Sequence, residues 1–384
     1  MSRARDRGAA PQRDDAASRS LAACFAVRLD WRALTMVGAL ALIWIVFGAL
    51  TDGTFFLPRN LSLLARQMSV TAILAVGMVL VIVAGQIDLS VGAMSGLLGG
   101  LSTLALVKLG WPLPAAVLLA LAAGAALGAA QGSLVARLRI PPFIVTLGGM
   151  LVFQGTLLGV TGGVSTAPGR SYLRIAQAYL PAWLGWAAAA LVAALLLVHA
   201  ARAAGLTRWR DIVLAAVALG TAAVMNAYEG IPLPVVLVLL IALVLALVAG
   251  RTPFGRHLYA IGGNRDAAFY AGIPIERRIV GVFSLMGLLC GTAGVVLTAR
   301  VGAATVDAGR MMELDAIAAA VIGGTSLMGG QGTVWGALLG ALVMASLDNG
   351  MSLLNTESFW QPILKGTILI AAVAMDMAGR RRER

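Results

Sequence analysis

GIPLPVVLVLLIALVLALVAG (Gly230–Gly250) is followed by RTPFGRHLYAIGGNRDAAFYAGIPIERR (Arg251–Arg278) and then by IVGVFSLMGLLCGTAGVVLTA (Ile279–Ala299). The first and third segments contain no Asp, Glu, Lys or Arg, and each reaches the roughly 20 residues that a helix needs to cross a bilayer. The segment between them is basic and much less hydrophobic. We therefore predict two membrane spans joined by a long polar loop that lies in water and needs a partner there.

The whole chain shares this apolar character. It is 60% hydrophobic and 12% charged, with a mean hydropathy of +0.90. Soluble domains carry about 25% charged residues, so the composition indicates an integral membrane protein. The apolar runs are continuous, whereas a membrane β-barrel would show short segments that alternate in hydropathy. The predicted fold class is therefore all-α: a polytopic bundle of about 10–12 transmembrane helices.

Individual spans can be placed from the apolar runs. Twelve are predicted, at about 34–50, 62–84, 89–107, 113–135, 143–161, 182–201, 211–227, 233–250, 279–299, 313–328, 333–351 and 359–377. The span at 211–227 is the weakest, because Asp211, Asn226 and Glu229 crowd it. The span at 313–328 is short and rich in small residues, which suggests a broken or re-entrant helix. Removing one pair of spans would leave ten, and that alternative stays open.

The distribution of basic residues predicts the orientation. Most of the 29 Lys and Arg residues fall in five segments that one orientation would place inside the cell: 1–32, 136–142, 202–210, 251–278 and 380–384. The positive-inside rule then predicts that both termini are cytoplasmic and that the number of spans is even. The net charge of +12 is explained by these basic cytoplasmic segments. A nucleic-acid partner is not needed to account for it.

Three regions follow from this reading. Residues 1–32 are polar and lack the apolar core of a signal peptide, so they are predicted to be an uncleaved, disordered cytoplasmic tail. Residues 33–377 form the predicted membrane domain, with 251–278 as its cytoplasmic loop. Residues 378–384 form a basic cytoplasmic tail.

Polar residues within the apolar regions are candidates for a solute pathway. A carboxylate at bilayer depth is costly unless it is paired or faces water. Asp88 could cap the following helix or line a cavity, and Glu313 and Asp315 could do the same for the short span. The candidate pathway residues are Asp88, Ser90, Thr146, Gln154, Asp315, Asn349 and Gln361. Their hydroxyl and amide groups suit a neutral polyol, and we predict that no Lys or Arg at mid-span binds an anion.

Enzyme chemistry is not indicated. No GxxxxGK[ST] phosphate loop occurs, so the chain is not expected to hydrolyse ATP itself. His199 and His257 stand alone in the sequence, and the two cysteines are far apart, so neither a metal site nor a hydrolytic triad is predicted. We expect no cofactor in this chain.

The paired glycines are interpreted as helix-packing positions.

Several stretches resemble the permease subunits of bacterial ABC importers for sugars, the ribose, xylose and galactoside group. The resemblance covers about residues 55–377. It rests on GQIDLSVGA (85–93), PPFIVTLGGMLVFQG (141–155), FGRHLYAIGGNRDAAFYAGI (254–273), ELDAIAAAVIGGTSLMGGQGTVWGALLGAL (313–342) and ASLDNGMSLL (345–354). The xylose-type permeases are the most similar, because they share the wording TLGGMLVFQG and ASLDNGMSLL and have extra helices in the middle. Gln86 departs from the glycine that is more usual at this position.

The resemblance implies a role for the polar loop. In such permeases a short cytoplasmic coupling helix docks on the ATPase subunit, and the matching positions here are Gly263, Asn264, Ala267, Ala268 and Gly272. Asn264 suits a helix N-cap and Gly272 a helix stop, while Ala267, Ala268 and Phe269 would present a small apolar face.

The implied partners are cytoplasmic ABC ATPase subunits that carry ATP and Mg, a periplasmic sugar-binding protein, and a second permease copy, most simply in a homodimer. The implied location is the bacterial inner membrane, with the lipid bilayer around a multi-pass chain, and the implied solute is D-xylose.

Two alternatives remain. The intramembrane carboxylates Asp88, Glu313 and Asp315 could serve a proton-coupled secondary transporter that needs no ATPase. Alternatively, an ABC permease of the same broad family could carry another solute, such as ribose or another monosaccharide, a nucleoside, a signalling furanone or a branched-chain amino acid.

Overall fold

The computed structural model describes residues 31–381 except 204 and 358. Most of the tail expected at 1–32, and the end of the basic tail at 378–384, lie outside the described residues. The described elements are α1 (Trp31–Leu50), a 3-10 turn (Thr54–Phe56), α2 (Pro58–Val83), α3 (Val91–Val107), α4 (Leu113–Arg137), α5 (Pro142–Thr161), α6 (Arg170–Gln177), α7 (Ala182–Arg202), α8 (Leu206–Asn226), α9 (Leu233–Arg251), α10 (Pro253–Gly263), α11 (Arg265–Tyr270), α12 (Ile275–Val301), α13 (Met312–Ile322), α14 (Val334–Leu353) and α15 (Trp360–Arg381).

The all-α membrane class is confirmed. Each of the twelve predicted spans overlaps a helix. Eight helices in the described part of the chain are long and apolar enough to cross a membrane, and α1 and α3 contribute shorter apolar stretches. The described loops are joined by only two isolated β-bridges, Thr166 with Ala304 and Tyr179 with Pro232. The cytoplasmic placement of both termini stays a prediction.

The core of the bundle is built on α2 and α12. The most extensive helix pair is α4 with α12, and α12 also packs on α2 and α3. Gly124 of α4 and Gly287 of α12 lie where these two helices are closest. A Cβ added to Gly124 would lie 2.2 Å from the carbonyl oxygen of Gly287, and a Cβ added to Gly287 would lie 2.0 Å from that of Gly124. Gly124 and Gly287 are therefore packing positions, since small residues let backbones approach in lipid. Among the paired glycines, Gly99 and Gly323 also lie against another helix, whereas a Cβ at Gly148 or Gly162 would contact nothing within 4 Å.

Helix α13 is the short span expected near residue 313. It has 11 residues, which at 1.5 Å per residue is about half of the bilayer's hydrocarbon thickness. The connection that leads into it packs on the start of α3, where a Cβ at Gly92 would lie 2.3 Å from the carbonyl oxygen of Gly309. The connection that leaves it reaches the end of α2, where Gly330 N donates to Val83 O at 2.9 Å. Helix α13 thus runs from the beginning of α3 to the end of α2.

The weak span near 211–227 is a complete helix, α8, which pairs chiefly with α7. Asp211, which made this span doubtful in the sequence, is buried and bonded to His199 Nδ1 of α7 at 2.5 Å and to Arg210 Nη2 at 2.7 Å. The pairing satisfies the carboxylate inside the bundle. It also corrects the prediction that His199 stands alone.

Candidate functional site

The loop expected at 251–278 contains two helices. Helix α10 begins after Thr252, whose Oγ1 accepts a hydrogen bond from Gly255 N at 3.2 Å. Leu258 and Ile261 of α10 are buried, and with Phe254 they form a helical i, i+4, i+7 pattern. That pattern was present in the sequence, although the predicted loop contained only the second helix.

Helix α11 is the predicted coupling helix, and both of its predicted ends are confirmed. Asn264 is the N-cap, with Oδ1 accepting from Ala267 N at 2.9 Å. Gly272 stops the helix in a left-handed conformation with φ +76°. Its amide donates to Phe269 O at 2.9 Å, and Ile273 N donates to Ala268 O at 3.1 Å. These two bonds are the Schellman pattern, which satisfies carbonyls that the helix end would leave unpaired.

The outward face of α11 differs from the prediction. Ala268 is 3% exposed and points into the protein, so it does not belong to an apolar outer face. Phe269 and Tyr270 are 67% and 86% exposed instead, and their rings contact each other edge to face at 5.7 Å. Ala267 and Gly263 are exposed as expected. Two adjacent exposed aromatic rings on a short helix are typical anchors of a protein interface.

Helix α10 joins this surface to the membrane interior. Tyr259 Oη donates to Gly332 O at 2.7 Å, and burial raises the pKa of Tyr259 above its usual value, so the hydroxyl keeps its proton. A Cβ at Gly262 would lie 1.8 Å from Val83 O and 2.8 Å from Gly330 N. The backbones of α10, the end of α2 and the loop after α13 are therefore in direct contact. A displacement of α10 must be transmitted to that loop.

The break between α2 and α3 carries the first group of predicted pathway residues. Asp88 Oδ1 accepts from Ser90 N at 2.9 Å and from Ser90 Oγ at 2.7 Å. Gln131 Nε2 of α4 donates to Ser90 Oγ at 3.1 Å, and all three side chains are buried. Asp88 therefore holds Ser90, the residue before α3, rather than capping the first turn. Thr146 is close by, with Oγ1 3.4 Å from Ile87 O.

The N-cap residue of α13 is Met311, which makes no side-chain cap bond, and Asp315 bonds to Lys365 instead of capping the helix. A Cβ added to Gly92 would lie 2.4 Å from Glu313 Oε2. The carboxylate of Glu313 therefore faces the first turn of α3. A helix N-terminus carries a partial positive charge, which favours a carboxylate there. Two helix beginnings, those of α3 and α13, thus meet beside Glu313.

Asp315 belongs to an ion cluster. Lys365 Nζ of α15 lies 2.9 Å from Asp315 Oδ2 of α13 and 2.9 Å from Asp348 Oδ2 of α14. A basic residue thus lies on the helix of the last predicted span, while the expectation that no such residue binds an anion stays a prediction. The charge of Lys365 is balanced by two carboxylates, so it is not free to bind an anionic solute. The polar interior still suits an uncharged one.

The remaining candidates are dispersed. Asn349 of α14 and Asn60 of α2 exchange two hydrogen bonds through their amides, at 2.9 Å and 3.0 Å. Gln154 is exposed on α5 and Gln361 is half-buried on α15. The structure brings together Asp88, Ser90 and Thr146, and leaves the other predicted residues in separate places. Gln131 was missed, because nothing in the sequence connects α4 with the break at Asp88.

The fold and the polar interior define a polytopic membrane permease. Residues 60–373 match the family model described as branched-chain amino acid transport system / permease component. That range contains most of α2, all of α3 to α14 and most of α15, and so includes α11 and every candidate pathway residue. The chain belongs to this family.

The chain is also similar to individual proteins that are named as sugar permeases. The chain is 45% identical to the xylose transport system permease protein XylH of Escherichia coli K12, over 92% of this chain and 94% of the relative. It is 42% identical to XylH of Haemophilus influenzae, over 90% and 96%, and 35% identical to the ribose import permease protein RbsC of Escherichia coli K12, over 89% and 92%. No solved structure gives a significant match.

Proposed function

We propose that this chain is the membrane-spanning permease subunit of an ABC importer that carries D-xylose across the bacterial inner membrane. The observation that carries the proposal is the 45% identity to a xylose permease across 92% of the chain, against 35% to a ribose permease. The geometry supports it through a capped coupling helix on the surface and buried hydroxyl and amide groups inside. Such groups bind a neutral sugar by hydrogen bonds.

ATP hydrolysis takes place on separate ATPase subunits, which hold ATP and Mg. The exposed rings of Phe269 and Tyr270 suit insertion into a groove on that partner. Movement of α11 passes through α10 to the loop after α13, because Gly262 and Gly330 are in backbone contact. A rigid shift of α13 then changes the surroundings of Glu313 and Asp315. This is the kind of rigid-body switching that alternates access to a central site.

A second copy of the chain completes the pathway, and a periplasmic sugar-binding protein delivers the solute. Helix α5 supports the presence of a second copy, because it packs mainly on α3 and leaves most of its surface exposed. Gly155 and Gly159 lie on it four residues apart, and a Cβ added to either would contact nothing within 4 Å. In lipid, such small-residue pairs allow a second helix to approach closely.

The function is tested by reconstitution. We expect liposomes that contain the permease and its ATPase to take up labelled xylose only with ATP and the sugar-binding protein, and a proton uncoupler to leave the rate unchanged. Uptake by the permease alone that collapses with the uncoupler would establish the secondary transporter instead. ATP-driven uptake of ribose or leucine in place of xylose would keep the mechanism and overturn the sugar.

The coupling helix is tested by variants of its two ends. Gly272→Val places a β-branched residue at a positive φ, where an L-residue costs about 1–2 kcal/mol. We expect uptake to fall about tenfold, the factor that 1.4 kcal/mol represents, while ATP hydrolysis continues. Asn264→Ala removes the N-cap, which is worth about 1 kcal/mol, so a smaller loss is expected.

The matched control for these variants is Gly250→Ala in α9, where an added Cβ contacts nothing within 4 Å. It should leave both uptake and ATP hydrolysis unchanged. Normal uptake in both Gly272→Val and Asn264→Ala would contradict the assignment of α11 as the coupling helix.

A further inference from the structure

A polar pocket lies beside α11, and none of the contacts described above involves a ligand bound there. Its volume is about 370 Å³, within the range of about 300–1,000 Å³ typical of small-molecule sites. It is lined by Gly85, Gln86, Val135, Arg139, Ile140, Pro141, Pro142 and Arg265. The walls thus come from the break between α2 and α3, the connection between α4 and α5, and the first residue of α11. All three lie on the face predicted to be cytoplasmic.

Gln86 gives this pocket an unusual chemistry. Its side chain is only 5% exposed, and Nε2 donates to Ala84 O at 3.3 Å. Its Oε1 is buried with no hydrogen-bond partner among the described residues. An unpaired buried acceptor costs free energy, so a native structure that keeps one needs a reason for it. Gln86 lines the pocket, so a ligand bound there is the candidate partner for this oxygen.

Arg139 and Arg265 supply hydrogen-bond donors, whereas Gln86 Oε1 is an acceptor. Both are exposed guanidinium groups that line the pocket, and arginine only donates hydrogen bonds. A ligand that satisfies all three residues must therefore donate a proton to Gln86 Oε1 and accept from the arginines. A sugar hydroxyl does both, so a polyhydroxylated ligand fits all three residues. The two guanidinium charges also attract anions, so inorganic phosphate is the competitor that the experiment must exclude.

We propose that this pocket is an inner subsite that binds the transported sugar at the cytoplasmic end of its path, with Gln86, Arg139 and Arg265 as its hydrogen-bonding groups. The inference rests on the proposed function for the identity of the sugar. Arg265 begins α11, so a movement of the coupling helix withdraws one donor from the ligand. Release of the sugar is thereby linked to the same displacement that switches access.

Cysteine protection tests the subsite in the assembled complex. Ile140→Cys, at a lining residue outside the three hydrogen-bonding groups, is introduced together with Cys24→Ser, while the buried Cys290 is retained. A membrane-impermeant thiol reagent is then applied to the cytoplasmic face of inside-out vesicles, with and without D-xylose. At ten times its Kd a ligand leaves about one site in eleven free, so we expect modification to slow about tenfold. Pro141→Cys, at another lining residue, provides a second reporter in the same background.

Two further variants make the result specific. Arg277→Cys lines the neighbouring groove but not this pocket, and D-xylose should not protect it. Adding Gln86→Ala to Ile140→Cys should remove most of the protection without changing the modification rate measured in the absence of sugar. A structural role for Gln86 alone would change that rate.

The outcomes separate this inference from the proposed function. Absence of protection at both Ile140→Cys and Pro141→Cys, in vesicles that take up xylose, would overturn the subsite and leave the importer intact. Equal protection by inorganic phosphate would overturn the sugar chemistry of the pocket. Protection by ribose in vesicles that transport ribose but not xylose would support the subsite and overturn xylose as the solute.

Discussion

Lys365→Met is expected to lower the free energy of unfolding of the permease by about 3–5 kcal/mol, the usual cost of removing one partner from a buried ion pair. The reason is geometric. Lys365 Nζ is 2.9 Å from one oxygen each of Asp315 and Asp348, and all three side chains are largely shielded. Without the lysine, two carboxylates remain side by side in the bundle. Chemical or thermal unfolding of the purified protein in detergent measures the loss.

Charge balance provides the matched control. The triple variant Lys365→Met, Asp315→Asn, Asp348→Asn removes all three charges, so it should regain most of the stability that Lys365→Met loses. Asp315→Asn alone leaves the pair between Lys365 and Asp348 and should be milder than Lys365→Met. If the triple variant is no more stable than Lys365→Met, the loss comes from side-chain packing and the electrostatic explanation is wrong.

Gly262→Val is expected to abolish uptake and to destabilise the permease by about 1–3 kcal/mol or more, as overpacking of a close contact does. The new Cβ would lie 1.8 Å from Val83 O and 2.8 Å from Gly330 N. These two atoms share a hydrogen bond of 2.9 Å, so the side chain would separate α10 from the end of α2 and from the loop after α13. Thermal unfolding and ATP-dependent uptake measure the two effects.

The adjacent glycine offers a control for this position. A Cβ at Gly263 would contact nothing within 4 Å, so Gly263→Ala should leave the unfolding temperature unchanged or raise it slightly, since alanine favours the helix. A Gly262→Val protein that transports sugar normally would show that the contact between α10 and Gly330 does not transmit the movement of the coupling helix.

The sequence predicted the parts of the fold that depend on neighbouring residues. The twelve predicted spans follow from the length of apolar runs, and each overlaps a helix, although α13 covers only part of the span predicted at 313–328. The ends of α11 also follow, because a cap or a Schellman stop involves residues only a few positions apart. Helix α10 could have been predicted from Phe254, Leu258 and Ile261, whose helical spacing was overlooked within a polar segment.

Contacts between distant residues were not predictable in the same way. Lys365 is 50 positions from Asp315, and Asn349 is 289 from Asn60. Their pairing depends on which helices become neighbours and how each is rotated about its axis. The burial of Ala268 and the exposure of Tyr270 likewise depend on the side of α11 that rests on the protein.

The sequence by itself thus determined the membrane class, most of the helices and the two ends of α11, because hydropathy and capping are local properties. The tertiary structure alone decided which polar groups meet: Asp88 with Ser90 and Gln131, Lys365 with its two carboxylates, and Gln86 with Arg139 and Arg265 around one pocket. The physical reason is that a buried polar group needs a partner in space, and the partner's position in the chain is not constrained by that need.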